Sequence, residues 1–478
     1  MDKPKILFIA SEAAPFIKSG GLGDVAGSLP KALSELGADI RVVLPKYRGI
    51  APQTLDGLQH LTSLEVHLDW RKPIAEIYSV PAAVPTYLVG NDHYFYRDNI
   101  YGYGDDFQRF AFFTKAALQM LPALDFQPDI VHFHDWQTGL GSVYLKDIFK
   151  KFTFYKNMKC IFTIHNLQYQ GTFAPDVLPQ VDLNYGYFVP DKLEFFGAAN
   201  YMKAGLTYSD FITTVSPTYA HEIQTPEYGY GMQGLLAARN HQLLGILNGI
   251  DYDEYSPSTQ PSLFTNYNEK DIAGKLINKT RVQEICGLPI NPDVPVFAII
   301  SRIVEQKGFD IISAAMDEMM HHKDMQIIIL GTGHHHFEHM LSRTAHYHPH
   351  KLSVNLRFDA ALAHQIYAAS DFFLMPSLFE PCGLGQLMAL RYGSLPVARK
   401  TGGLVDTVVP YNYDTKKGHG ILFENYDAGG LLWGVNEALS LYQNKQHYRK
   451  AQKNAMKADF SWENSAKQYI ELYESIID

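Results

Sequence analysis

Two cationic residues, Arg302 and Lys307, lie close together in the segment SRIVEQKG (301–308). The segment falls between a strand-like run and a helix-like run, at the carboxyl end of the strand, where parallel sheets bind ligands. An arginine fork beside a lysine point charge suits a diphosphate. A solvated Arg/Lys pair is the alternative, and the chemistry favours the binding site.

A carboxylate, Glu380, precedes a glycine-rich turn in the segment PSLFEPCGLGQLMALRYG (376–393). The turn leads into a predicted helix, so the backbone N–H groups of residues 383–385 are expected to form an anion site. Glu380 would then accept hydrogen bonds from sugar hydroxyls. A helix cap with a surface carboxylate is the alternative, but the turn TGG (401–403) after the next strand strengthens the prediction of a site.

A second glycine-rich loop, KSGGLGDVAGSLPKAL (18–33), lies near the N-terminus. Its G-x-G-x-x-A pattern at Gly21, Gly23 and Ala26 formally matches a dinucleotide-binding fingerprint. That fingerprint begins directly after a strand and needs an acidic residue at the end of the next strand. Neither condition holds, so we predict instead an anion-binding loop with Lys18 as its positive charge.

Polar residues end two neighbouring predicted strands. His132, His134 and Asp135 lie in HFHDWQTGL (132–140), and His165 and Asn166 follow the next strand. The first three imitate a metal site, but no further ligand is evident, so a structural or substrate-contact role is predicted. The histidines of 334–336, with His339, lack the spacing for one metal ion, and we expect a solvated surface there.

Strand-like and helix-like runs alternate along the chain in two series, which predicts two doubly wound α/β domains with parallel sheets. The first series has strands at 5–10, 39–45, 129–135, 159–166 and 211–217. The second has strands at 294–302, 325–333, 352–359, 371–377 and 395–403. A turn-rich segment at 245–261 predicts the boundary. The final segment, 459–478, has aromatic residues at helical spacing and predicts a closing helix.

Composition excludes several classes of protein. The 478 residues carry a net charge of −9, which disfavours a nucleic-acid partner, and 46% hydrophobic residues exclude wholesale disorder. Three distant cysteines suggest neither disulfides nor a zinc knuckle. No apolar run has the length of a secretion signal or a membrane span, so we expect a cytoplasmic protein without membrane partners.

Together, these segments resemble the bacterial members of the glycogen/starch synthase family, glycosyltransferase family five. The family signature K-[ST]-G-G-L-G-D-V is matched by KSGGLGDV, with Ser19 where threonine is common. Further segments at 132–140, 163–173, 213–231, 245–251, 301–310 and 379–408 match in family order, so the resemblance covers nearly the whole chain. One departure is His334, where the family often has an acidic residue.

The resemblance implies the GT-B fold, in which two Rossmann-like domains hold the active site in the cleft between them. It implies residues 1–248 as the N-terminal, acceptor-side domain and 249–458 as the nucleotide-sugar donor domain. Residues 459–478 would form a helix closing back on the N-terminal domain. The implied activity is retaining transfer of glucose from ADP-glucose to the 4-hydroxyl at the non-reducing end of glycogen or a maltooligosaccharide. No metal or other cofactor is implied, and a homo-oligomer is possible.

The family's functional residues carry over where the segments match. As catalytic residues the resemblance implies Arg302 and Lys307 at the leaving diphosphate, Glu380 at the sugar hydroxyls, and Asp135 and His165 at the sugar. Asp24 would touch the nucleotide or brace its loop. The implied substrate-binding residues are Lys18, Gly20, Gly21, Asp24, Asn166, Asn248, Cys382, Gly383, Leu384 and Thr401.

Three other functions compete with this interpretation. A related enzyme could use UDP-glucose or another acceptor, and the sequence does not decide the donor base. An NAD-dependent oxidoreductase is favoured only by the glycine pattern. A non-catalytic glucan-binding protein would not need Lys18, Arg302, Lys307 and Glu380 together. Whether retention proceeds by same-face attack or by double displacement also stays open.

Overall fold

The structure is a computed structural model that describes residues 3–477. The chain forms two compact units. Unit 1 comprises residues 3–249 and 462–477, and unit 2 comprises residues 250–461. The acceptor and donor roles assigned to the two sequence-based domains stay predictions.

Unit 1 is built on a nine-stranded sheet in the order β12-β11-β7-β6-β1-β2-β5-β4-β3. The strands from β12 to β5 in this order are parallel, and β4 and β3 add an antiparallel edge. The nine are β1 (Lys5–Ile9), β2 (Asp39–Pro45), β3 (Gln59–Glu65), β4 (Ile74–Val80), β5 (Thr86–Gly90), β6 (Ile130–His134), β7 (Lys159–Ile164), β11 (Phe211–Thr214) and β12 (Leu243–Gly245).

A small antiparallel sheet with the order β8-β10-β9 and nine helices complete the continuous part of unit 1. Its strands are β8 (Thr172–Phe173), β9 (Glu194–Phe195) and β10 (Ala198–Asn200). The helices are α1 (Gly21–Glu35), α2 (Asp92–Phe95), α3 (Asp106–Gln119), α4 (Asp135–Thr138), α5 (Leu140–Val143), α6 (Val177–Gln180), α7 (Tyr201–Tyr208), α8 (Pro217–Glu222) and α9 (Gln233–Ala238).

Unit 2 has a six-stranded, wholly parallel sheet in the order β15-β14-β13-β16-β17-β18. Its strands are β13 (Val296–Ile300), β14 (Gln326–Leu330), β15 (Leu352–Asn355), β16 (Phe372–Met375), β17 (Leu395–Arg399) and β18 (Ile421–Phe423). Its helices are α10 (Ala273–Ile285), α11 (Phe309–His322), α12 (His335–Tyr347), α13 (Ala360–Ala369), α14 (Gly385–Arg391), α15 (Gly402–Thr407), α16 (Ala428–Gln443) and α17 (Lys445–Lys457).

The central strands are almost continuously apolar because helices cover both faces of the sheet. In β13 and β14 the sequences VFAII and QIIIL are buried nearly throughout. One face of the unit 2 sheet packs with α11 and α16, and the other packs with α13 and α14. The helices cover the faces of the sheet but not the ends of its strands, so polar residues can be placed at the strand ends.

Each parallel sheet has a point where the strand order reverses. In unit 1 the reversal lies between β1 and β6, and in unit 2 it lies between β13 and β16. The loops that follow the two central strands diverge there and open a crevice at the carboxyl ends of the strands. The residues after these four strands therefore define the two places where a ligand is expected.

The last helix, α18 (Trp462–Ile477), belongs to unit 1 and packs against α1. Its buried residues include Trp462, Tyr469 and Tyr473. The Tyr473 hydroxyl lies 2.8 Å from His132 Nδ1 of β6, and both side chains are fully buried. This hydrogen bond ties the end of the chain to a central strand of the unit 1 sheet.

Each of the ten predicted strands overlaps an observed strand, and the predicted α/β class is confirmed. Most observed strands are shorter than predicted, and the strand predicted at 395–403 ends at Arg399 because α15 begins at Gly402. The antiparallel edge strands β3 and β4 had no strong sequence signal, because much of β3 is exposed and polar. The predicted glycine-rich turn was wrong in extent, since α1 already begins at Gly21. Gly23 and Gly27 serve close packing instead, because a Cβ would lie 2.4 Å from Lys18 Cβ and 2.6 Å from Ala14 O, respectively.

None of the helices in the described part of the chain combines the length and the hydropathy that a membrane span requires.

We expect Tyr473→Phe to destabilise unit 1 by about 1–3 kcal/mol, because His132 Nδ1 would lose its partner in a site that water cannot reach. The phenyl ring preserves the packing volume. Urea unfolding measures the change. Tyr347→Phe, at a side chain 72% exposed, is the matched control, and equal midpoints for the two variants would contradict the prediction.

Candidate active site

A partly buried ion pair occupies the reversal point of the unit 2 sheet. Lys307 Nζ donates to Glu380 Oε2 at 2.6 Å, and Ser377 Oγ donates to the same oxygen at 3.1 Å. Lys307 follows β13 and Glu380 follows β16, the two strands that flank the reversal. Glu380 is only 5% exposed, so the predicted alternative of a surface carboxylate does not hold.

Arg302 joins this cluster through Gln306. Arg302 Nη2 donates to Gln306 Oε1 at 3.2 Å, and Gln306 Nε2 donates to the backbone oxygen of Phe379 at 3.4 Å. The backbone N–H of Leu378 in turn donates to the Gln306 carbonyl at 3.0 Å. Gln306 thus fixes the loop after β13 to the loop after β16, a role that the sequence did not indicate.

Two glycines allow these loops to meet. Gly308, at φ +80°, precedes α11, and a Cβ there would lie 2.1 Å from Pro376 O. Gly383, at φ +74°, precedes α14, and a Cβ there would lie 2.3 Å from Gln386 Oε1. Both positions combine a left-handed backbone with a close contact, so a side chain at either would be strained.

The loop at 380–384 is held against the turn at 401–403. The backbone N–H of Gly403 donates to Glu380 O at 3.0 Å, and a Cβ on Gly403 would lie 2.2 Å from Cys382 O. Thr401 is 1% exposed and lies directly before α15. The structure thereby brings together Glu380, Cys382, Gly383, Leu384 and Thr401, as the sequence predicted them to be, in one region with Arg302 and Lys307.

In unit 1 the corresponding cluster centres on Asp135, directly after β6. Asp135 Oδ1 accepts a hydrogen bond from the backbone N–H of His165 at 2.7 Å, and the Asn166 backbone N–H also donates to this carboxylate. Asp135 has φ +56°, which is uncommon outside glycine. Two backbone donors hold this strained residue at the edge of the sheet.

His134 and His165 are also in contact, because His134 Nδ1 lies 3.0 Å from His165 Nε2. His132 and His134 lie on the same face of β6, with ring centroids 4.1 Å apart, and His132 Nε2 lies 2.6 Å from Thr163 Oγ1. Burial lowers the pKa of His132 and of His165 to about 3, and that of His134 well below its ordinary value. All three rings are therefore neutral near pH 7 and serve as hydrogen-bonding groups rather than cations.

A second buried carboxylate, Glu12, follows β1 on the other side of the unit 1 reversal. The N–H and hydroxyl of Ser19 both donate to it, the hydroxyl at 3.2 Å. Burial raises the pKa of Glu12. Sequence analysis missed Glu12 and also Tyr101, whose hydroxyl lies 2.7 Å from Ser11 Oγ. The signal for Glu12 was available, since it follows the end of a buried strand just as Asp135 does.

The predicted anion loop leads from Glu12 to α1. Lys18 Nζ donates to Asp24 Oδ1 at 2.7 Å, so Asp24 braces the loop. Gly20 caps α1 in an extended conformation, and no heavy atom lies within 4 Å of the place where its Cβ would be. The fold itself therefore does not require glycine at position 20, which leaves the backbone there open to close approach by a ligand.

The side chains of Asn166 and Asn248 are less clearly connected to the Asp135 cluster. Asn166 Oδ1 accepts from the backbone N–H of Gln168 at 3.0 Å, which shapes the loop after β7. Asn248 follows the edge strand β12, and its buried Oδ1 has no hydrogen-bond partner among the described residues. A buried amide oxygen without a partner is costly, which suits a group that awaits a ligand hydroxyl.

Within residues 3–477, no three His, Cys, Asp or Glu side chains are grouped so as to hold a metal ion. The histidines at 335 and 339 stack with ring centroids 6.4 Å apart on α12.

The carboxyl of Asp135 titrates near neutrality. Burial, together with the nearby charge of Glu12, raises its pKa to about 7 against the opposing effect of the two backbone donors. Near pH 7 it is thus divided between the protonated and ionised forms, so it can both take up and release a proton.

The raised pKa of Asp135 predicts a pH-dependent effect of Asp135→Asn. The folded protein keeps a proton that the unfolded chain releases above its ordinary pKa of 3.8. The stability of the wild type therefore falls relative to the variant as pH rises toward 7, and the difference is constant above that. Asparagine tolerates the left-handed backbone.

Urea unfolding from pH 5 to pH 8.5 measures this difference. Asp125 also has a left-handed backbone, but its side chain is exposed. Asp125→Asn is therefore the matched control. A difference for Asp135→Asn that does not change between pH 5 and pH 7 would show that the carboxyl is ionised throughout.

Comparison with known proteins agrees with this geometry over the whole chain. The profile described as "Starch synthase catalytic domain" matches residues 5–238, and the profile described as "Glycosyl transferases group 1" matches residues 283–458. A glycogen synthase of Desulforamulus reducens is 46% identical over 475 residues, covering 99% of both chains. A glycogen synthase of Clostridioides difficile is 45% identical over 480 residues, covering 99% of this chain and 100% of that one.

Solved structures show the same relationship. The catalytic domain of Starch Synthase IV from Arabidopsis thaliana, bound to ADP and acarbose, superposes with a TM-score of 0.94 at 34% identity and 100% coverage of both chains. A sucrose-phosphate synthase from Thermosynechococcus elongatus, 17% identical with a TM-score of 0.63 over 99% of both chains, shares the fold. The fold is the GT-B fold, and the chain is an enzyme that belongs to the bacterial glycogen synthases of the glycogen/starch synthase family.

Proposed function

We propose that this enzyme transfers glucose from ADP-glucose, with retention of configuration, to the 4-hydroxyl at the non-reducing end of an α-1,4-glucan such as glycogen or a maltooligosaccharide. The observation that carries the proposal is the cluster of Arg302, Lys307 and Glu380 at the reversal of the unit 2 sheet. It puts two cations and a buried carboxylate where parallel sheets bind ligands.

The chemistry of the transfer explains why this cluster is suitable. Cleavage of the bond between sugar and diphosphate leaves negative charge on the departing phosphate and positive charge on the anomeric carbon. Arg302 and Lys307 stabilise the developing anion, and they act most strongly in the transition state. In this proposal no metal ion or other cofactor is needed, because the two side chains supply the positive charge.

Glu380 has two roles in the proposal. Its ion pair with Lys307 holds the ammonium group in a fixed position, which limits the reorganisation needed when a diphosphate arrives. Its carboxylate also accepts hydrogen bonds from sugar hydroxyls and favours positive charge in the ring. Leu384, Gly383 and Cys382 line the donor beside it, and Thr401 approaches a phosphate.

Unit 1 supplies the groups proposed to meet the sugar. Asp135 and His165 are joined by the bond from the His165 N–H to Asp135 Oδ1, and Asn166 and Asn248 contribute amides for hydroxyl groups. Lys18 and the backbone at Gly20 and Gly21 approach the donor phosphate. The imidazole of His165 is neutral near pH 7 and can therefore accept a hydrogen bond from a sugar hydroxyl or donate one to it.

ADP as the leaving group is supported by the relative from Arabidopsis, which binds ADP and acarbose. We also propose a cytoplasmic location, which suits the three cysteines: all are free, and Cys160 and Cys382 are buried. Self-association into a homo-oligomer stays a prediction.

The donor is tested by measuring nucleotide release from ADP-glucose and from UDP-glucose at equal concentrations with glycogen present. We expect ADP release to exceed UDP release by at least about tenfold in kcat/KM, which corresponds to about 1.4 kcal/mol of discrimination. Digestion of the elongated product by β-amylase would show α-1,4 linkages. Preference for UDP-glucose, or a β-linked product, would contradict the proposal.

Arg302→Ala tests the role of the phosphate cluster. We expect kcat to fall by about 10²–10³, the usual cost of one lost transition-state donor, while binding of glycogen is unchanged. Arg302 is exposed, so the variant should fold normally. Arg343→Ala on α12, also exposed, is the matched control, and an unchanged kcat for Arg302→Ala would remove Arg302 from the site.

A further inference from the structure

A cavity lies within unit 2, at the edge of the sheet opposite to the catalytic cluster. Its volume is about 1160 Å³, and its lining includes Asp293 and Asp371. These residues precede β13 and β16, whereas Arg302, Lys307 and Glu380 follow the same two strands. The cavity is therefore separated from the catalytic cluster by the length of the sheet strands.

The lining of this cavity is strongly cationic, although the protein as a whole has a net charge of −9. Eight lysine and arginine residues face three aspartates, a net formal charge of +5. Burial lowers the pKa of Lys275 to about 7. With Lys275 counted as neutral, the net formal charge is still +4.

The only fully buried aspartate of the lining is already engaged. Asp371 accepts from Lys279 Nζ at 2.8 Å and from the backbone N–H of Val296 at 2.8 Å through Oδ2, and from the Tyr448 hydroxyl at 2.7 Å through Oδ1. Asp271 and Asp293 are exposed. The charge of Asp371 is therefore largely balanced inside the wall, and the two exposed aspartates are outnumbered by the cations of the lining.

The rim cations differ from Lys279 in forming no ion pair, although the ammonium group of Lys445 lies over the Tyr442 ring. Lys416, Lys445, Arg449, Lys450 and Lys453 line the cavity and are exposed, and none of them forms an ion pair with any described residue. Four of the five lie on α17, whose sequence KQHYRKAQKNAMK contains no acidic residue. Because these charges share one sign, an anion that enters the cavity is attracted by all of them.

A solvated helix face is the simpler explanation of a lysine-rich helix, but two observations disagree with it. The cations surround a concavity rather than a convex surface, and concave walls of low dielectric concentrate the potential of the charges that line them. Charges from separate segments, the loop at Lys416, α10 and α17, also converge on the same space. A solvated face on a single helix requires neither a concavity nor charges from several segments.

We propose that this cavity binds a small phosphorylated molecule, of up to nucleotide size, at a site distinct from the catalytic cluster. Lysine ammonium groups and an arginine fork are the side chains that recognise phosphate. The volume exceeds what a single phosphate needs and can contain a phosphate ester with its organic part. Inorganic pyrophosphate and AMP present the same phosphate chemistry from inorganic and nucleotide sources.

The test compares two double variants that remove equal charge. Lys416→Ala/Lys453→Ala removes two cations that line the cavity. Lys417→Ala/Lys457→Ala removes their neighbours, one residue and one helical turn away, which do not line it. All four side chains are exposed, so both variants should fold and unfold like the wild type.

Calorimetric titration with pyrophosphate at low ionic strength is the measurement. The wild type and both double variants retain Arg302 and Lys307. Binding of pyrophosphate to these two residues is therefore the same in all three proteins, and the comparison is valid whether or not the proposed function is correct. We expect a second binding event in the wild type and in the Lys417/Lys457 variant. Its affinity should be at least about tenfold weaker in the Lys416/Lys453 variant, because each lost charge-assisted contact contributes substantially.

Titration with AMP then separates the two sources of the phosphate chemistry. Tighter second-site binding of AMP than of pyrophosphate would identify a nucleotide or sugar-phosphate ligand, and the reverse would identify an inorganic one. Absence of a second event in the wild type, or equal affinities in the two double variants, would overturn the proposal.

Discussion

The geometry of the parallel sheet is the constraint on which the rest of the structure depends. In such a sheet all strands end at the same edge, and only a reversal of strand order opens a crevice there. The reversals between β1 and β6 and between β13 and β16 are each followed by charged or polar residues. Glu12 and Asp135 follow one pair of strands, and Lys307 and Glu380 follow the other. Helices that bury the sheet faces leave this edge as the place where polar side chains can be concentrated.

The two clusters stabilise their carboxyl groups in different ways. Glu380 has a cation at 2.6 Å and a serine hydroxyl, so its negative charge is balanced locally. Asp135 has only backbone N–H donors and lies near a second carboxylate, Glu12, so its pKa rises to about 7. Unit 2 thus presents fixed charges, which suit an anionic diphosphate. Unit 1 presents neutral imidazoles and a carboxyl that can change its protonation state, which suit an uncharged sugar.

Sequence patterns were sufficient for the parts that depend on local periodicity. Apolar strand runs such as VFAII and QIIIL predicted the parallel sheets, and polar residues at strand ends predicted which side chains lie at the crevices. Contacts between distant segments had no such signal. Gln306 joins two loops, Tyr473 contacts His132 from the far end of the chain, and Gly23 is needed for packing rather than for a turn. Each depends on which segments become neighbours in space.

Glycine illustrates why sequence alone could not separate structure from function. Gly308 and Gly383 have left-handed backbones and close contacts, so the fold itself requires them. Gly20 has an extended backbone and open space around its missing side chain, so no requirement of the fold explains it. All three lie in loops directly before helices, and the sequence alone does not distinguish their roles. The absence of a side chain at position 20 leaves the backbone at the start of α1 accessible, which agrees with the proposed approach of an anion to the N–H groups beside Lys18.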